Sequence, residues 1–342
     1  MKTIKITSWN VEHLARLTDD SLSTTELTRR DAIISEIEAI NADILCLVEG
    51  PRGEAAIDQF TANLLNDHWR AVKATDGEYS LRGNQWIWFL VKDEFYSQCS
   101  LLPTETWDAF TAKTWDVHYW GNFESTRHRH YRHPQVLVLD WDGFRVEFIG
   151  LHLKSKYVNR GASLWNAGGA KREEFIREAL KARVKMTTEA TNVRQYIAAK
   201  FSQVEKPAIF LLGDLNDGPG KEFFEQKYLF FDLMSNIQGD VFEASQFMNH
   251  ALFDFPSHLR WTVKFKDFVA ETEAEANIVR PILLDHILFT QGLCDDSLPW
   301  RVDAHAGMVE HEIHDLINAP LSEREQTSDH KPVSLTVIVK ED

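Results

Sequence analysis

The stretch IFLLGDLNDGPG, residues 209–220, joins an apolar run to a polar turn. The run Ala208–Leu212 predicts a strand, and Asp214 and Asn216 follow where that strand ends. In an α/β sheet, functional groups collect at strand ends, because the backbone turns there and side chains face a crevice. The same letters are also typical of a turn in which Asp214, Asn216 and Asp217 hydrogen-bond their own backbone. Whether this turn is functional or purely structural therefore depends on which residues lie at the other strand ends.

Four more strand ends carry polar groups of similar chemistry. The first strand ends in SWN with Asn10, and the second ends in LCLVEG with Glu49. Either residue alone could cap a following helix. PILLDHILF places Asp285 inside an apolar run, and SDHKPV places Asp329 and His330 just before the last strand. A carboxylate such as Asp285 is costly to bury alone, so we expect it to have a partner, and His330 is the candidate.

A sixth strand end, in VEFIGLHLKSK, carries His152, Lys154 and Lys156. Lysines at strand ends commonly just reach solvent, but beside five other polar ends His152 is expected to donate to a phosphate oxygen. The whole set contains carboxylates, carboxamides and imidazoles. Hard ligands of this kind suit Mg²⁺, which takes about six oxygens at about 2.1 Å. A histidine held by a buried aspartate is a common general base. Together they predict metal-assisted hydrolysis of a phosphate ester.

The rest of the chain interleaves strand and helix patterns. Strand-like runs occur at Lys2–Trp9, Ile44–Val48, Trp86–Val91, Val136–Leu139, Phe144–Leu151, Ala208–Leu212, Ile282–Phe289 and Pro332–Val339. Helical patterns occur at Thr25–Ile40, Ala55–Leu65 and Ala170–Ala199, and the last of these could be broken once. This order predicts an α/β fold in which helices cover the sheets. No linker composition divides the chain, so we expect one domain over residues 1–342, with an insertion around residues 239–280.

Composition excludes several classes of protein. The 342 residues are 44% hydrophobic and 26% charged, which is typical of a folded domain rather than a disordered chain. A net charge of −15 argues against nucleic-acid binding through an overall basic field and suits a protein that gathers divalent cations. The N-terminus lacks an apolar signal region, and no run of about 18 apolar residues occurs. We therefore expect a cytoplasmic protein without a membrane span. Three scattered cysteines indicate neither a disulfide framework nor a thiolate metal site.

The densest cationic segment is TRHRHYRHP, residues 126–134. We expect Arg127, Arg129 and Arg132, with the three histidines of the segment, to make a phosphate-backbone contact beside the site, since arginines offer planar forks for phosphate oxygens. Arg132, which lies shortly before a proline that leads into a strand, is the first choice among them. With Arg129 and Lys154 it makes up the predicted set of phosphate-binding cations. A solvated loop is the alternative interpretation.

Two histidine-rich segments could also bind zinc. The first set is His128, His130 and His133, and the second is His305, His311 and His314 in HAGMVEHEIHD. The spacing of the first set is compatible with many structures and specific to none, so a zinc site there is the weakest interpretation. For the second set we expect a solvated loop.

The motifs taken together resemble one family. SWNVEHL, LVEG, GLHLKSK, GDLNDGPG, LLDHILF and SDHKPV occur in the order and approximate spacing of the endonuclease/exonuclease/phosphatase superfamily, over nearly the whole chain. The combination of GDLND with SDHKPV is specific, whereas any one motif is weak. The resemblance implies a four-layer α/β/β/α sandwich like that of DNase I, with two β-sheets face to face and helices outside. It also implies a phosphoesterase that depends on Mg²⁺ or Mn²⁺.

The resemblance implies a role for each matching position. Glu49 would be the main metal ligand, with Asn10 and Asp329 beside it. Asp214 and Asn216 would orient the attacking water or stabilise the pentacovalent phosphorus.

The remaining roles fall to the imidazoles. His330, paired with Asp285, would act as general base or transition-state stabiliser. His152 would contact a non-bridging or leaving oxygen. Where DNase I-like nucleases carry a glutamate that supports the catalytic histidine, this chain has RGNQWIWFLV, with Asn84 or Gln85 in its place. The partner of His152 is therefore not predicted.

Two departures from the family bear on the substrate. Abasic-site nucleases usually have LQE followed by a small polar residue and a lysine, whereas this chain has LVEG. Inositol polyphosphate phosphatases have WCDR where this chain has LLDHIL, which matches only Asp285 and argues against a 5-phosphatase.

Three functions follow, in order of preference. The first is a metal-dependent phosphodiesterase with a nucleic acid substrate, a nuclease acting on DNA or RNA. The second keeps the chemistry and takes a small phosphomonoester or a phospholipid headgroup. The third is a binding protein that keeps the fold without catalysis. The oligomeric state does not follow from the sequence.

Overall fold

The computed structural model describes residues 1–18, 21–65, 68–74, 85–103, 106, 114–118, 125–218, 222–228, 232–270 and 272–340. Asn84 lies outside these residues. The strands are β1 (Lys2–Asn10), β2 (Ile44–Gly50), β3 (Trp69–Ala71), β4 (Trp86–Lys92), β5 (Cys99–Leu101), β6 (Trp115–His118), β7 (Ser125–His128), β8 (Gln135–Trp141), β9 (Phe144–His152), β10 (Ala208–Asp214), β11 (Met248–His250), β12 (Val263–Lys266), β13 (Val279–Ile282), β14 (Asp285–Thr290), β15 (Trp300–Arg301), β16 (Gly307–Val309) and β17 (Val333–Val339). The α-helices are Thr24–Ile40, Glu54–Leu64, Asp93–Tyr96, Gly161–Ala167, Gly169–Phe201, Phe223–Tyr228, Leu233–Gln238, Glu273–Ala276 and His311–Asn318. Short 3-10 helices occur at Leu14–Leu17, Ala244–Gln246, Ser257–Leu259 and Gln291–Cys294.

Two large sheets contain the strands that the sequence predicts. The first has the order β15-β17-β1-β2-β4-β3, with β16 also paired to β17, and the second has the order β11-β14-β10-β9-β8-β5. The pairs β1–β2 and β9–β10 are parallel, and the other pairs within these two sheets are antiparallel. Each sheet therefore has one parallel pair near its centre, whose two strands end at the same edge.

Strand β10 shows how the layers form. Because successive side chains of a strand point to opposite faces, its apolar run serves two cores at once. Ala208, Phe210 and Leu212 pack into the core between the two sheets. Ile209 and Leu211 pack into a second core, against the long helix Gly169–Phe201. The unbroken apolar run is thus explained by burial of both faces of the strand.

The two sheets approach each other closely at Gly150 of β9. A Cβ atom at this position would lie 2.9 Å from Ile87 Cγ2 and 3.1 Å from Cys46 Sγ, both on the first sheet. A side chain here would force the sheets apart, because packed interiors have little free space.

Helices cover the outer face of each sheet. On the first sheet, Ile33, Ile37 and Ile40 of the helix Thr24–Ile40 join its core. Ser23 is the N-cap of that helix, and its side chain forms a capping box with Glu26. On the second sheet the helix Gly169–Phe201 is continuous, so the break that the sequence allows does not occur. The architecture is the four-layer α/β/β/α sandwich that the resemblance implies.

The region 239–280, which the sequence predicts as an insertion, is in part tied to the sandwich. Met248–His250 pairs with β14 at the edge of the second sheet, and β12 pairs with β13 in a separate hairpin. Assignment of residues 1–342 to one domain stays a prediction. In the part of the chain that the structure describes, no helix is both long enough and apolar enough to span a membrane.

Candidate active site

The ends of the two parallel pairs meet at one edge of the sandwich. Asn10 ends β1 in the first sheet, and Asp214 ends β10 in the second. The Asn10 side chain bridges them, because its Nδ2 donates a hydrogen bond to Asp214 Oδ2 at 3.0 Å. His152 ends β9 in register with Asp214, so it comes to the same edge. The strand ends that the sequence singles out are therefore brought together across both sheets.

Glu49 reaches this edge through an unusual backbone conformation. Its φ is 60°, a left-handed value that costs a non-glycine residue of order 1–3 kcal/mol and is common at functional sites. The next residue must be small, because a Cβ on Gly50 would lie 2.5 Å from Trp88 Cδ1. The sequence VEG thus fits a turn that holds the carboxylate in one place.

The Glu49 carboxylate has one oxygen held by the chain and one directed towards the site. His13 N donates to Oε2 at 3.0 Å, and His13 Nδ1 lies 3.1 Å from the same oxygen. Oε1 lies 3.9 Å from His152 Nε2, which is 3.5 Å from Asp214 Oδ2. Sequence reasoning missed His13, although it belongs to the SWNVEHL motif. Its left-handed φ of 62° marks it as a constrained residue.

His330 and Asp285 form the pair that the sequence predicts. His330 Nδ1 lies 2.7 Å from Asp285 Oδ2, and Asp285 is fully buried. The loop before β17 is fixed by Ser328, whose hydroxyl donates to the Asn10 carbonyl oxygen at 2.7 Å and accepts from His330 N at 3.0 Å. Trp9 Nε1 also donates to the His330 carbonyl oxygen at 2.9 Å. The catalytic imidazole candidate is therefore anchored to the first strand.

The two imidazoles of the site, His330 and His152, differ in charge because their surroundings shift their pKa values in opposite directions. Burial opposes the charge on His330, but the charge and hydrogen bond of Asp285, with Asp214 and Asp329, raise its pKa to about 10. Burial, followed by Arg132, His330 and His13, lowers the pKa of His152 well below its ordinary value. At neutral pH the first is a charged donor and the second is neutral. Burial also raises the pKa of Asp214 to about 6, against the lowering effect of His330.

The GDLND turn combines both interpretations of its sequence. Asp214 Oδ1 accepts from Asn216 N at 2.8 Å, which is the local turn bond that the composition predicts. Asn216 has a left-handed φ of 55°, and its Nδ2 donates to the Leu153 carbonyl oxygen at 3.0 Å. The turn therefore fixes Asp214 and ties the ends of β9 and β10 together.

Arg132 is the predicted phosphate-binding cation that the structure places at this edge. Its Nε donates to Gln85 Oε1 at 2.7 Å and its NH1 donates to the Leu153 carbonyl oxygen at 2.9 Å. Burial lowers the pKa of Arg132, while Asp214 and Glu49 oppose that shift, so its charge is felt at both carboxylates. Gln85 thus has a partner of its own beside the site, where the family pattern has a glutamate.

The other predicted cations differ in their surroundings. Lys154 donates through Nζ to the Ser155 carbonyl oxygen at 2.6 Å, and its backbone N–H donates to Glu189 Oε2 at 2.7 Å. Arg129 is exposed just after β7. Phosphate binding by either residue stays a prediction. Lys156, which the sequence places at the same rim, is held inside by carboxylates of Asp217, Glu222 and Glu225.

Neither histidine-rich segment forms a cluster of ligand atoms in the part of the chain that the structure describes. His128 Nε2 lies 2.9 Å from Glu189 Oε1. The solvated loop expected around His311 and His314 is wrong, because both belong to the helix His311–Asn318. His314 is buried, with Nδ1 2.8 Å from Glu36 Oε1, and so joins this helix to Thr24–Ile40.

The donor atoms at the site suit a hard divalent cation. Among the described residues, ligand atoms of Asp214, Asp285 and His330 lie within 4.8 Å of one another, and because the charged His330 ring has no lone pair for a metal, the hard donors of this group are its two carboxylates. Asp285 Oδ1 is buried and has no hydrogen-bond partner within the described ranges. Carboxylate oxygens of this kind are ligands for Mg²⁺ or Mn²⁺. The resemblance implies a metal set of Glu49, Asn10 and Asp329. Of these, Glu49 directs its Oε1 atom towards the site, where it lies 3.9 Å from His152 Nε2. The Asp329 side chain is 63% exposed, and its part in metal binding stays a prediction.

Two histidines, His286 and His250, form a hydrogen-bonded pair next to the site residue Asp285. His286, next to Asp285, accepts at Nδ1 from His250 Nε2 at 2.9 Å, and its own Nε2 donates to the Asp217 carbonyl oxygen at 2.7 Å. Burial lowers the pKa of His286 to about 4 and that of His250 well below its ordinary value. Both rings are therefore neutral in the folded protein over most of the range in which unfolded histidines take up protons.

This pair predicts acid sensitivity of the fold. Unfolded histidines bind protons below about pH 6.5, so the unfolded state binds more protons than the folded state as the pH falls from about 6.5 to about 4. His286 alone can remove up to about 3 kcal/mol from the free energy of unfolding across this window. We expect this pair to lower the urea midpoint at about pH 5 relative to about pH 7.5, against the opposite contributions of Asp214 and His330, whose pKa values are raised on folding. The double variant His250→Gln/His286→Gln should lose less over the same interval, and an equal loss in both proteins would contradict this origin.

Comparison with known proteins gives matches at the level of structure. No family model matches the sequence, and no curated protein is significantly similar to it. Truncated TDP2 from Caenorhabditis elegans matches with a TM-score of 0.53 and 15% identity, covering 99% of this chain and 98% of that chain. TDP2 from D. rerio, complexed with a single-strand DNA product, matches with a TM-score of 0.52 and 13% identity, covering 99% and 100%. An endonuclease/exonuclease/phosphatase family protein from Bacteroides thetaiotaomicron matches with a TM-score of 0.51 and 11% identity, covering 99% of each chain.

Proposed function

We propose that this chain, which has the DNase I-like fold of the endonuclease/exonuclease/phosphatase superfamily, is a divalent-metal-dependent phosphodiesterase that cleaves DNA or RNA. The observation that carries the proposal is the meeting of six polar strand ends at one edge of the sandwich. The Asn10–Asp214 and His330–Asp285 hydrogen bonds join these ends into one site. A structural role alone would not require buried carboxylates, two imidazoles and an arginine in the same place, because burying such groups is costly.

The residues of the chain divide the chemistry among them. His330, charged and held by Asp285, donates from Nε2 to a phosphate oxygen and stabilises the charge that develops in the transition state. His152, neutral and 3.5 Å from Asp214, is placed to contact a second oxygen. Asp214 orients the attacking water and, because its pKa is raised to about 6, can accept its proton near neutral pH.

Glu49, Asn10 and Asp329 would hold Mg²⁺ or Mn²⁺. A bound divalent ion supplies neutralisation of charge on the phosphoryl oxygens. The Glu49 Oε1 atom, which is directed towards His152, and the hard donor set of the site support this assignment.

Two observations support a nucleic acid substrate. Arg132 is fixed at the edge of the site and can form a fork with a phosphate oxygen. The D. rerio TDP2 structure, which shares the fold, holds a single-strand DNA product. The net charge of −15 favours the second candidate, a small phosphomonoester or phospholipid headgroup. A cytoplasmic location stays a prediction.

A substrate panel separates these functions. Purified protein is incubated with plasmid, single-stranded DNA, RNA and small phosphate esters, with Mg²⁺, with Mn²⁺ and with EDTA. We expect cleavage of a polynucleotide that EDTA abolishes. Phosphate release from small esters without cleavage of any polynucleotide would establish the second candidate. A binding protein without catalysis would hydrolyse nothing with either metal.

A further inference from the structure

The segment that leads to Arg132 has two different faces. Along residues 127–131 exposure alternates: Arg127, Arg129 and Tyr131 are exposed, while His128 and His130 turn inward. The inward histidines contact Trp115 at ring distances of 5.1 and 5.4 Å. This corrects the expectation that the histidines of the segment contact phosphate. Within residues 127–131, only Arg127, Arg129 and Tyr131 are exposed to solvent.

The exposed arginines are available to a ligand. Within the described ranges neither Arg127 nor Arg129 forms an ion pair, although Asp116 lies opposite Arg127 in the β6–β7 hairpin, whereas Lys156 is surrounded by three carboxylates. In an extended segment, residues two apart are separated by about 6.6 Å, because each residue rises about 3.3 Å. The two guanidinium groups therefore form a row of cations on a chain whose net charge is −15. Such a local row attracts a polyanion that the chain as a whole would repel.

Two exposed aromatic rings each lie next in the chain to an anchored cation, Tyr131 at the end of this row and Tyr157 after β9. Tyr131 is 54% exposed and precedes Arg132, which is anchored to the Leu153 carbonyl oxygen. Tyr157 is 72% exposed and follows Lys156, which is anchored to Asp217, Glu222 and Glu225. Each ring is thus attached to backbone that a buried cation holds in place. Exposed rings on fixed backbone are platforms on which unpaired bases stack.

We propose that Arg127, Arg129 and Tyr131, together with Tyr157, bind a single-stranded segment of nucleic acid and guide it past Arg132 into the active site. The inference rests on the proposed function and narrows its substrate to a single strand. A duplex would offer its phosphates to the arginines but would keep its base faces stacked and away from the tyrosines. The combination of cations and exposed rings therefore favours single strands over duplexes.

Binding and cleavage of a single-stranded oligonucleotide test the proposal in the full chain. The double variant Arg127→Ala/Arg129→Ala should weaken binding about tenfold or more at low salt, and should reduce the slope of log affinity against log salt by about 1.4, for two lost phosphate contacts. Tyr131→Ala and Tyr157→Ala should each weaken binding about tenfold without changing that slope. Hydrolysis of bis(p-nitrophenyl) phosphate, which carries one phosphate and no strand, should be unchanged in the two tyrosine variants.

The matched control is Lys171→Ala/Arg177→Ala, which removes the same charge from exposed positions of the helix Gly169–Phe201. If this control weakens oligonucleotide binding as much as the double arginine variant, the row has no specific role. Equal affinity of the wild-type protein for duplex and single strand, or arginine-dependent binding to anionic vesicles instead of oligonucleotides, would also overturn the proposal. Hydrolysis of the small diester by the wild-type protein reports on the proposed function separately, so failure of one inference is distinguishable from failure of the other.

Discussion

The His330→Ala variant is expected to hydrolyse a phosphodiester at least about 100-fold more slowly than the wild-type protein at saturating metal. Its imidazole lies 2.7 Å from the buried Asp285 carboxylate, which holds the ring charged and turned towards the site. Removing a positioned charged donor from a transition state commonly costs about 3 kcal/mol. The change should affect kcat more than KM, because the donor acts on charge that develops only in the transition state.

Asp285→Asn is the companion variant. It keeps the imidazole and a hydrogen-bonding partner but removes the carboxylate that maintains the charge on His330. We expect an intermediate loss of kcat, of about tenfold, with both variants folded by circular dichroism. A larger loss in Asp285→Asn than in His330→Ala would show that His330 is not the group through which the aspartate acts.

Glu49→Gln is expected to lower metal-dependent activity at least about 100-fold and to weaken Mn²⁺ binding measured by calorimetry. Glutamine preserves the shape of the side chain and the oxygen that accepts from His13 N. It removes the negative charge that a divalent cation needs. Raising the Mn²⁺ concentration should restore part of the activity if the lost interaction is with the metal.

Glu147→Gln is the matched control for removal of a buried carboxylate. Glu147 also lies on a strand of the sandwich, but it bonds to Tyr196 and Lys200 on the outer helix. Its substitution should lower the free energy of unfolding and leave Mn²⁺ affinity unchanged. Unchanged Mn²⁺ affinity in Glu49→Gln as well would contradict the assignment of Glu49 as a metal ligand.

The sequence predicted site contacts best where a charged residue lies inside an apolar run that must be buried. Asp285 lies in an apolar run, so the need for a partner was visible in the letters alone, and the partner is His330 as predicted. Strand β10 was likewise predicted from its five consecutive apolar residues, and the structure explains that run by burial of both faces of the strand. Helices with a clear apolar stripe, such as Thr24–Ile40, were predicted to within one residue.

Contacts that depend on the three-dimensional path of the chain could not be predicted. The Asn10–Asp214 hydrogen bond joins residues 204 positions apart in different sheets. His13 holds Glu49 only because its backbone is left-handed, and nothing in the letters VEH indicates that conformation. The helix His311–Asn318 was taken for a loop, and the His314–Glu36 contact that joins it to another helix links residues 278 positions apart in the chain. Lys156 was noted at the rim beside His152 without a predicted partner, since its three carboxylate partners become neighbours only after folding.

The central claim is that the strand ends at this edge form one metal-dependent hydrolytic site. Its most direct test is the rate of hydrolysis of bis(p-nitrophenyl) phosphate by the wild-type protein, His330→Ala and Glu49→Gln, each with Mn²⁺ and with EDTA. The account predicts turnover by the wild-type protein with Mn²⁺ alone, and a loss of at least about 100-fold in both variants. Turnover that survives EDTA, or that is retained in both variants, would contradict it.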